Sequence, residues 1–225
     1  MERPIAHLDG FAGILQVDGY GVYKTLAGSN AVSLAFCWAH VRRRFYELAQ
    51  TGPAPIASEA LLRIADLYRV EADIRGRSLE ERRDARQQRS KPIIDDLEPW
   101  LRQKLALISQ KTKLAEAIRY ALSRWPGLGL FLDDGRIELD NNIVERSIRP
   151  LALTRKNALF AGSDGGAEHW AVIASLVETC KLNGIDPQPY LTDIITRIVN
   201  GHPNSRIDDL MPWAHPAKPT RSNVA

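Results

Sequence analysis

Asp18 stands where a carboxylate is well placed to do chemistry. We predict that residues 13–20 form a short buried strand that ends in this acid and a turn. Open α/β sheets carry their functional groups at that end of their strands, and a carboxylate there can stay solvated and hold a divalent cation. The alternative is an aspartate that only starts the turn at Gly19, and for Asp18 taken alone this alternative is favoured.

Glu145 is the second candidate, and it lies in a segment dense in asparagine and arginine. We predict a short helix over residues 141–149, capped by Asp140 and interrupted by Pro150. A helix this short contributes little to a core, which favours a functional role for the segment. The alternative is a surface ion pair between Glu145 and Arg149 at i,i+4, worth about 0.3–0.5 kcal/mol.

Two carboxylates that are far apart in sequence and converge in space suit metal-assisted phosphoryl transfer. Mg²⁺ prefers oxygen ligands and keeps several of its waters. Two such ions about 3.5–4 Å apart can activate the attacking oxygen and stabilise the leaving oxygen. A third acid is normally needed to bridge the pair. Asp18 and Glu145 are therefore candidate metal ligands, and the third acid of such a site is still to be identified.

Cys37 and His40 form a C-x-x-H unit directly after a second predicted strand. The unit is not a zinc finger, because no second pair of ligands follows at a suitable spacing among Cys180 and the later histidines. Residues i and i+3 of a helix share one face, so His40 can point towards the same cleft as Asp18. The alternative, preferred from these residues alone, is a buried thiol and a helix-cap histidine.

Basic residues occur in three clusters. The net charge of +3 permits a polyanionic partner without demonstrating one. A solvated helix face is the better interpretation of any single cluster. Three clusters, two of them beside candidate site segments, favour phosphate binding. The clusters are Arg42, Arg43 and Arg44; Arg82, Arg83, Arg86, Arg89 and Lys91; and Arg146, Arg149, Arg155 and Lys156.

The elements that position these residues begin as an α/β alternation and continue as helices. We predict strands at 13–20 and 32–36 and a helix at 38–49, and we read the connection between the strands as helical. The resulting order of strand, helix, strand, helix favours a parallel sheet. A contiguous helical block with no strand signal follows. Its apolar stripes are most simply explained as the faces by which its helices pack into the core. We predict its helices at 56–76, at 79–89 with an end near Pro92, at 93–108 with a disturbance at Pro99, and at 114–125. A last strong helix is predicted at 167–183.

Composition places the chain among ordinary globular proteins. Apolar residues make up 44% and charged residues 25% of the 225 residues. No apolar run approaches the roughly 20 residues that span a bilayer. The first residues carry no apolar signal core, so we expect a cytoplasmic, nucleoid-associated protein. Two cysteines argue against a disulfide framework.

Six blocks, taken in order, resemble the insertion sequence 66 family of transposases, and the resemblance covers about residues 4–213. Six blocks in one order are far more specific than any single motif. They are Gln16–Tyr20, Cys37–Phe45, Asp140–Asn142 with Glu145 and Arg146, Arg155–Asn157, Phe160–Ser163 and Lys181–Gly184.

The resemblance implies a ribonuclease-H-like fold of the Asp-Asp-Glu class with a helical insertion before the final acid. Asp18 then matches the second acid and Glu145 the third, and both are implied metal ligands for Mg²⁺ or Mn²⁺. Cys37 and His40 match a C-x-x-H signature found after the second acid in several transposase groups. The implied partner is double-stranded DNA, at the transposon ends and at the target. The implied reaction is hydrolysis at those ends, followed by attack of the freed hydroxyl on target DNA.

The family also implies a division of the chain into parts. Residues 1–50 are expected to carry the second-acid part of the catalytic core, and residues 51–132 the helical insertion. Residues 133–211 are expected to carry the final acid and the C-terminal helices, and residues 212–225 a disordered tail. The fold class is thus α/β, a partial ribonuclease-H-like fold that is predominantly helical overall.

One departure from the family concerns the first acid, which is expected well upstream of the Asp18 motif. The seventeen residues before Asp18 contain a single aspartate, Asp9, which is a poor substitute. We therefore expect a C-terminal fragment that does not cleave DNA by itself. We also expect that its first strand presents a bare apolar edge, so that the chain is poorly soluble or pairs with a partner that supplies the missing strands.

Two other functions remain open at this stage. The chain can be a non-catalytic DNA-binding protein that regulates or inhibits the full-length transposase. It can also be a helical protein-interaction module with no nucleic-acid role, although that hypothesis does not explain residues 140–156.

Overall fold

The computed structural model of the chain describes residues 6–27, 32–157 and 162–215, and it leaves the side chains of 154–157 undescribed. These residues are predominantly helical with a small parallel sheet, as the sequence predicts. They divide into two compact units, Met1–Ile143 and Val144–Ala225. No helix in these ranges is long and apolar enough to cross a membrane.

The first unit opens with the predicted alternation of strand and helix. Strand β1 spans Gly13–Val17, helix α1 spans Tyr23–Ala27, strand β2 spans Val32–Phe36 and helix α2 spans Trp38–Gln50. The two strands pair in parallel along their whole length, from Gly13 opposite Val32 to Val17 opposite Phe36.

Strand β1 is less buried than the sequence predicts. Gly13 and Ile14 are exposed, and only Val17 at its end is fully buried. Strand β2, in contrast, has Val32 and Ala35 buried. Burial along β1 therefore increases towards the end that Asp18 follows, so the acid is anchored by the best packed residue of its strand.

The helical block lies where the periodicity of the sequence predicts it. It comprises α3 (Pro55–Asp73), α4 (Leu79–Ala85), a π-helical turn (Arg86–Ser90), α5 (Lys91–Leu107), α6 (Lys113–Leu122), α7 (Trp125–Gly129) and a short 3₁₀ turn (Leu130–Leu132). Ser78 and Glu81 form a capping box at the start of α4, which satisfies amide groups that the first turn leaves unbonded.

Two prolines in this block do not act as predicted. The helical segment from α4 to α5 continues through Pro92, which lacks the N–H that would bond a carbonyl of the preceding turn. The π-helical turn just before it widens the backbone at that point. Helix α5 also continues through Pro99.

One hydrophobic core joins α2 to the helical block. Trp38 and Phe45 of α2 are buried with Leu67 of α3 and Ile118 of α6. The Trp38 ring meets the Trp125 ring edge to face at 5.7 Å, and its Nε1 donates to the Leu128 carbonyl oxygen at 3.0 Å.

Gly127 sets the approach of α7 to the sheet. A side-chain carbon at this position would overlap the Leu34 carbonyl oxygen and the Phe36 ring of β2. The lack of a side chain therefore lets α7 lie directly on β2, and with it the end of α6. The helical block is in this way held against the sheet that carries Asp18.

The second unit is all helical in the part that is described. It contains most of α8 (Asn142–Asn157), then α9 (Asp164–Leu182), α10 (Pro187–Val199) and two 3₁₀ segments, Asn204–Leu210 and Pro212–Ala214. Its small core joins Cys180 of α9, Tyr190 and Ile194 of α10, and Leu210. The Tyr190 hydroxyl donates to the Leu210 carbonyl oxygen at 2.7 Å.

The predicted interruption of α8 at Pro150 is wrong, since α8 runs through it to Asn157. Pro150 has no N–H for the Arg146 carbonyl four residues earlier. Both residues are exposed, so water can reach that carbonyl and the cost of the lost bond falls. The predicted disorder after Pro212 concerns residues that lie largely outside the described ones, apart from the 3₁₀ turn Pro212–Ala214.

Candidate nucleic-acid and metal site at the carboxyl edge of the sheet

Asp18 is exposed at the carboxyl end of β1. Val17 pairs with Phe36, so the next residues of the two parallel strands, Asp18 and Cys37, follow at the same edge. The Asp18 Oδ1 accepts the N–H of Tyr20 at 2.9 Å. This bond fixes the turn after β1 and leaves the acid at the edge where parallel sheets carry their functional groups.

The backbone of the Asp18 turn is held by a residue from α6. The Tyr120 hydroxyl donates to the Asp18 carbonyl oxygen at 3.2 Å. Gly19 has a φ of +96°, and a side-chain carbon there would lie 3.0 Å from the Arg124 Nε and 3.2 Å from the Tyr120 hydroxyl. Glycine is thus required at position 19 by both its backbone angle and its neighbours. Sequence reasoning did not identify Tyr120 or Arg124, which lie beside an apolar stripe that predicts only core.

Cys37 and His40 begin α2, as predicted. Cys37 is 2% exposed, and its Sγ lies within 4.8 Å of a ring nitrogen of the half-buried His40. Burial raises the pKa of the Cys37 thiol, although backbone N–H groups of Asn141, His40 and Ala39 partly offset this. The thiol is therefore protonated at neutral pH, which makes Cys37 a poor ligand for a hard cation such as Mg²⁺.

We expect Cys37 to resist alkylation in the folded chain. Because the thiolate is the reactive form, a buried thiol of raised pKa should react with iodoacetamide at about pH 8 more than about tenfold slower than in the urea-unfolded chain. Mass spectrometry of the Cys37 peptide over time measures this rate in the folded and in the unfolded chain. Equal rates in the folded and unfolded chains would contradict the buried position.

Residues 138–142 run along the same edge of the sheet. The Gln16 Nε2 of β1 donates to the Glu138 carbonyl oxygen at 2.7 Å. The Trp38 N–H donates to the Leu139 carbonyl oxygen at 3.1 Å. The Asp140 Oδ1 accepts the N–H of Asn142, the first residue of α8, so Asp140 fixes the turn that leads into the helix. The sequence predicted Asp140 at the N-cap, and it lies one residue before that position. The segment is thereby tied to β1 and to the start of α2 before α8 begins.

Tyr68 of α3 completes this edge from the helical block. Its hydroxyl donates to the Asp140 Oδ2 at 3.0 Å, and the same oxygen accepts the Asn142 Nδ2 at 2.7 Å. Burial, with the charge and hydrogen bond of Asp140, raises the pKa of Tyr68 well above its usual range. Tyr68 is thus a permanent donor that holds the segment before α8, and the sequence offered no signal for it beyond the apolar stripe of α3.

The second basic cluster is neutralised by carboxylates. Each of its five cations has a carboxylate oxygen 2.6–2.9 Å away. The pairs are Arg82–Glu138, Arg83–Asp84, Arg86–Glu71, Arg89–Asp73 and Lys91–Asp95. Arg82 and Arg86 are therefore part of the packing of the first unit, and the other three cations are exposed with their charge balanced by a neighbouring carboxylate.

The first cluster keeps its charge. Arg42, Arg43 and Arg44 are exposed, and within the described ranges none of them pairs with a carboxylate. Two contact aromatic rings: the Arg42 guanidinium lies 5.7 Å from the centre of the Tyr46 ring, and that of Arg44 lies 3.9 Å from the centre of the Tyr120 ring. Positive charge is thus concentrated on the exposed face of α2, one turn from Cys37.

An open groove of about 500 Å³ runs beside this face. It is lined by Ala39, Arg42, Arg43, Tyr46, Ala65, Tyr68 and Asn142. Aromatic side chains interleaved with arginines suit the bases and phosphates of a nucleic acid. The exposed face of α2 and this groove therefore have features that suit a polyanion.

The remaining predicted residues lie in the second unit. Glu145 is half-buried in the first turn of α8, and Arg146 and Arg149 are exposed on the same helix. Arg155 and Lys156 lie in the last turns of α8, but their side chains are outside the described part. Of the predicted block 160–163, Ser163 is described as the cap of α9, with its Oγ accepting the N–H of Gly166 at 3.0 Å. The convergence of Glu145 with Asp18 stays a prediction.

Comparison with known proteins identifies the family. The model of the family described as "Transposase IS66 family" matches residues 1–169, and that of the "IS66 C-terminal element" matches residues 175–213. The chain therefore belongs to the IS66 family of transposases, which agrees with the resemblance seen in its motifs.

Three relatives come from Sinorhizobium fredii (strain NBRC 101917 / NGR234). The uncharacterized protein y4qI is 50% identical over 214 residues, covering 92% of this chain and 40% of the relative. The uncharacterized proteins y4jD and y4hP are 46% and 42% identical, and the match covers 42% and 41% of their lengths. The chain thus spans about two fifths of the curated relatives that it matches. No solved structure matches it.

Proposed function

We propose that these 225 residues contribute the second and third acids of a metal-dependent DNA transposase with a ribonuclease-H-like catalytic core. Asp18 is the second acid and Glu145 the third, and both bind Mg²⁺ or Mn²⁺. The observation that carries the proposal is the position of Asp18, exposed at the carboxyl edge of a parallel sheet in a chain of the IS66 transposase family. The reaction is hydrolysis at the ends of the element and transfer of the freed strand to target DNA.

The donor set at this edge fits a hard divalent cation. Asp18 supplies carboxylate oxygen, which is the ligand type that Mg²⁺ prefers. Cys37 next to it is a protonated thiol and is better suited to packing the start of α2 than to holding the ion. His40 and Cys37 are accordingly proposed to support the site, and the ion would lower the barrier by stabilising charge on the attacked phosphate.

DNA is proposed to lie along the exposed arginines. Arg42, Arg43 and Arg44 of the first unit would contact phosphates, and so would the third cluster on α8, with Arg146, Arg149, Arg155 and Lys156. The support is the contrast in pairing, because the cations of the second cluster each have a carboxylate partner and, among the described residues, those of α2 have none. The proposed domain parts are those predicted, with residues 51–132 as a helical insertion.

A nicking and strand-transfer assay on DNA with the element's own ends tests the catalytic proposal. The chain is assayed alone and mixed with a polypeptide that carries the first acid, in Mg²⁺, in Mn²⁺ and in chelator. We expect nicking only in the mixture and only with metal. Nicking by the chain alone would mean that another acid of these 225 residues completes the site. Metal-independent nicking by the mixture would sink the proposal.

A second candidate function is that of a DNA-binding regulator that occupies the ends or joins the full-length transposase without cleaving. The specific observation in its favour is that the unpaired arginines of α2 and their groove need no metal and belong to the first unit alone. DNA binding without any metal-dependent nicking in the mixture would favour this function over catalysis.

Both functions predict that the α2 arginines bind phosphates. We expect the Arg42→Gln, Arg43→Gln double variant to bind duplex DNA about tenfold or more weakly, with the slope of log affinity against log salt reduced by about two, since each lost phosphate contact removes about one. Fluorescence anisotropy over a salt series measures both quantities. Arg69→Gln is the control, because it is exposed and paired with Asp66. An affinity equal to that of this control would show that Arg42 and Arg43 do not contact the DNA. The interaction-module hypothesis alone would remain if removing the charges of Arg146, Arg149 and Arg155 also left affinity unchanged.

A further inference from the structure

Two arginines from distant parts of the chain flank one tyrosine ring. The guanidinium carbon of Arg44 lies 3.9 Å from the centre of the Tyr120 ring, and that of Arg124 lies 3.8 Å from the same point. Two guanidinium groups this close to one centre would overlap if they shared a face, so they lie on opposite faces. Arg44, Tyr120 and Arg124 thus form a three-layer stack, called here the arginine–tyrosine stack.

The stack lies directly against the turn that carries Asp18. The Tyr120 hydroxyl donates to the Asp18 carbonyl oxygen at 3.2 Å. A side-chain carbon at Gly19 would lie 3.0 Å from the Arg124 Nε and 3.5 Å from its Nη2. Since only glycine leaves that space open, the guanidinium of Arg124 reaches the backbone of the residue after the acid.

The stack carries two positive charges with no acid to balance them. Among the described residues, neither Arg44 nor Arg124 pairs with a carboxylate, and the Arg124 Nη1 bonds only neutral groups, the Tyr120 carbonyl and the Ser123 hydroxyl. The buried Arg124 Nε has no hydrogen-bond partner there. Charges of one sign held on the two faces of a ring repel each other, so an anion at the edge of the stack would stabilise the arrangement.

Stacking also prepares the guanidinium groups for one kind of ligand. A ring face holds a guanidinium by cation–π attraction and leaves the N–H groups at its edge pointing outwards. Those edges form paired bonds with the oxygens of a phosphate. The stack therefore presents fixed donors at the edge of the sheet, next to an acid that would hold a cation.

We propose that Arg44, Tyr120 and Arg124 form a clamp for one phosphodiester of the DNA strand, immediately beside Asp18. The identity of the ligand as DNA rests on the proposed function. Arg44 and Arg124 bind the phosphate oxygens, and Tyr120 positions them through its ring and Asp18 through its hydroxyl. The clamp is distinct from the groove of Arg42, Arg43 and Tyr46, which lies along α2.

The first arm of the test measures DNA affinity by anisotropy over a salt series. Arg44→Gln and Arg124→Gln should each weaken binding about fivefold or more and lower the salt slope by about one. Tyr120→Leu should approach the loss seen when both arginines are changed, and Tyr120→Phe, which keeps the ring, should lose less affinity than Tyr120→Leu. Arg102→Gln is the control, because Arg102 is exposed on α5 and paired with Glu98.

Folding of the variants is checked by circular dichroism melting. Arg124 packs over the Phe36 ring as well as Tyr120, so Arg124→Gln is the variant most at risk of unfolding. Arg44 is exposed, and Arg44→Gln therefore tests the clamp without this risk. If the stack were only a stabilising device, the variants would lower the melting temperature and leave affinity and salt slope at the values of Arg102→Gln, which would overturn the proposal.

The second arm locates the phosphate. Duplexes of the element's end, each with one neutral methylphosphonate, are bound to the unchanged chain and to Arg44→Gln. At the clamped position the substitution should weaken binding of the unchanged chain and have little further effect on the variant. We expect this position to adjoin the bond that is nicked in the assay proposed above. A contacted position remote from that bond, or no such position, would contradict a clamp beside Asp18.

The two proposals fail in different ways. If Asp18→Asn leaves metal-dependent nicking unchanged, the catalytic proposal is wrong, and the clamp is still judged by affinity and salt slope. If Arg44→Gln and Arg124→Gln bind DNA like Arg102→Gln, the clamp is wrong whatever happens to nicking.

Discussion

Asp18→Asn is expected to abolish metal-dependent nicking in the complemented mixture while leaving the fold and DNA binding intact. Asparagine has the size of aspartate and keeps an oxygen for the Tyr20 N–H, which the Asp18 Oδ1 now accepts at 2.9 Å. It lacks the negative charge that holds a divalent cation. Because the ion acts on the transition state, the loss of rate should be at least about a hundredfold.

Asp9→Asn is the matched control for this substitution. Asp9 is exposed, as Asp18 is, but it precedes β1, whereas Asp18 follows it. We expect the Asp9 variant to nick at the normal rate. Gel analysis of end-labelled DNA gives both rates, and anisotropy shows whether each variant still binds. If Asp9→Asn lost nicking and Asp18→Asn kept it, the catalytic acid would be the one before β1, and the proposed role of Asp18 would be wrong.

Arg86→Met is expected to destabilise the chain by about 3–5 kcal/mol, the cost of breaking a buried ion pair from one side. Arg86 is completely buried, and its Nε and Nη2 each donate to a Glu71 carboxylate oxygen at 2.7 Å. Its Nη1 donates to the carbonyl oxygens of Phe131 at 3.0 Å and Asp134 at 3.2 Å. Methionine would leave the Glu71 carboxylate with only the more distant Arg82, at 3.7 Å, and would leave two carbonyls without this donor.

Urea unfolding of the Arg86 variant gives the free energy of unfolding and its slope. Arg102→Met is the control, since the Arg102–Glu98 pair is exposed and its loss should cost no more than about 1 kcal/mol. Adding Glu71→Leu to Arg86→Met should recover much of the lost stability, because the uncompensated carboxylate is then removed as well. An Arg86→Met variant no less stable than Arg102→Met would show that the pair is not what holds the π-helical turn.

The number of basic residues in a stretch of this sequence does not give the positive charge that the stretch offers on the surface. Five cations between Arg82 and Lys91 form the densest basic run apart from Arg42–Arg44, and each of them is paired with a carboxylate. Three of the partners, Glu71, Asp73 and Glu138, come from other elements of the fold. Counting basic residues along the chain therefore overstates what the helical block offers to DNA, and the exposed arginines of α2 and α8 carry that role in the proposed function.

Local patterns were enough to place the elements of the first unit. The apolar run 32–36 predicts β2, and the helical spacing of Trp38, Val41 and Phe45 predicts α2. Asp18 lies at the sheet edge because β1 ends just before it, and this position does not depend on which strand β1 pairs with. Proline was misjudged at positions 92, 99 and 150, since its cost in a helix depends on whether water or a widened turn replaces the lost bond.

The family, the helical character and the candidate acids follow from the amino-acid sequence, because motifs and apolar periodicity are visible along the chain without knowledge of its packing. Tertiary structure alone decided that Tyr120, 102 residues after Asp18, bonds its carbonyl, that Arg44 and Arg124 meet on one ring, and that Arg86 is buried and paired. The physical reason is that periodicity reports which face of an element is buried. Which charge that face meets depends on how α2, α3 and α6 pack on one another, and no single stretch of sequence contains that packing.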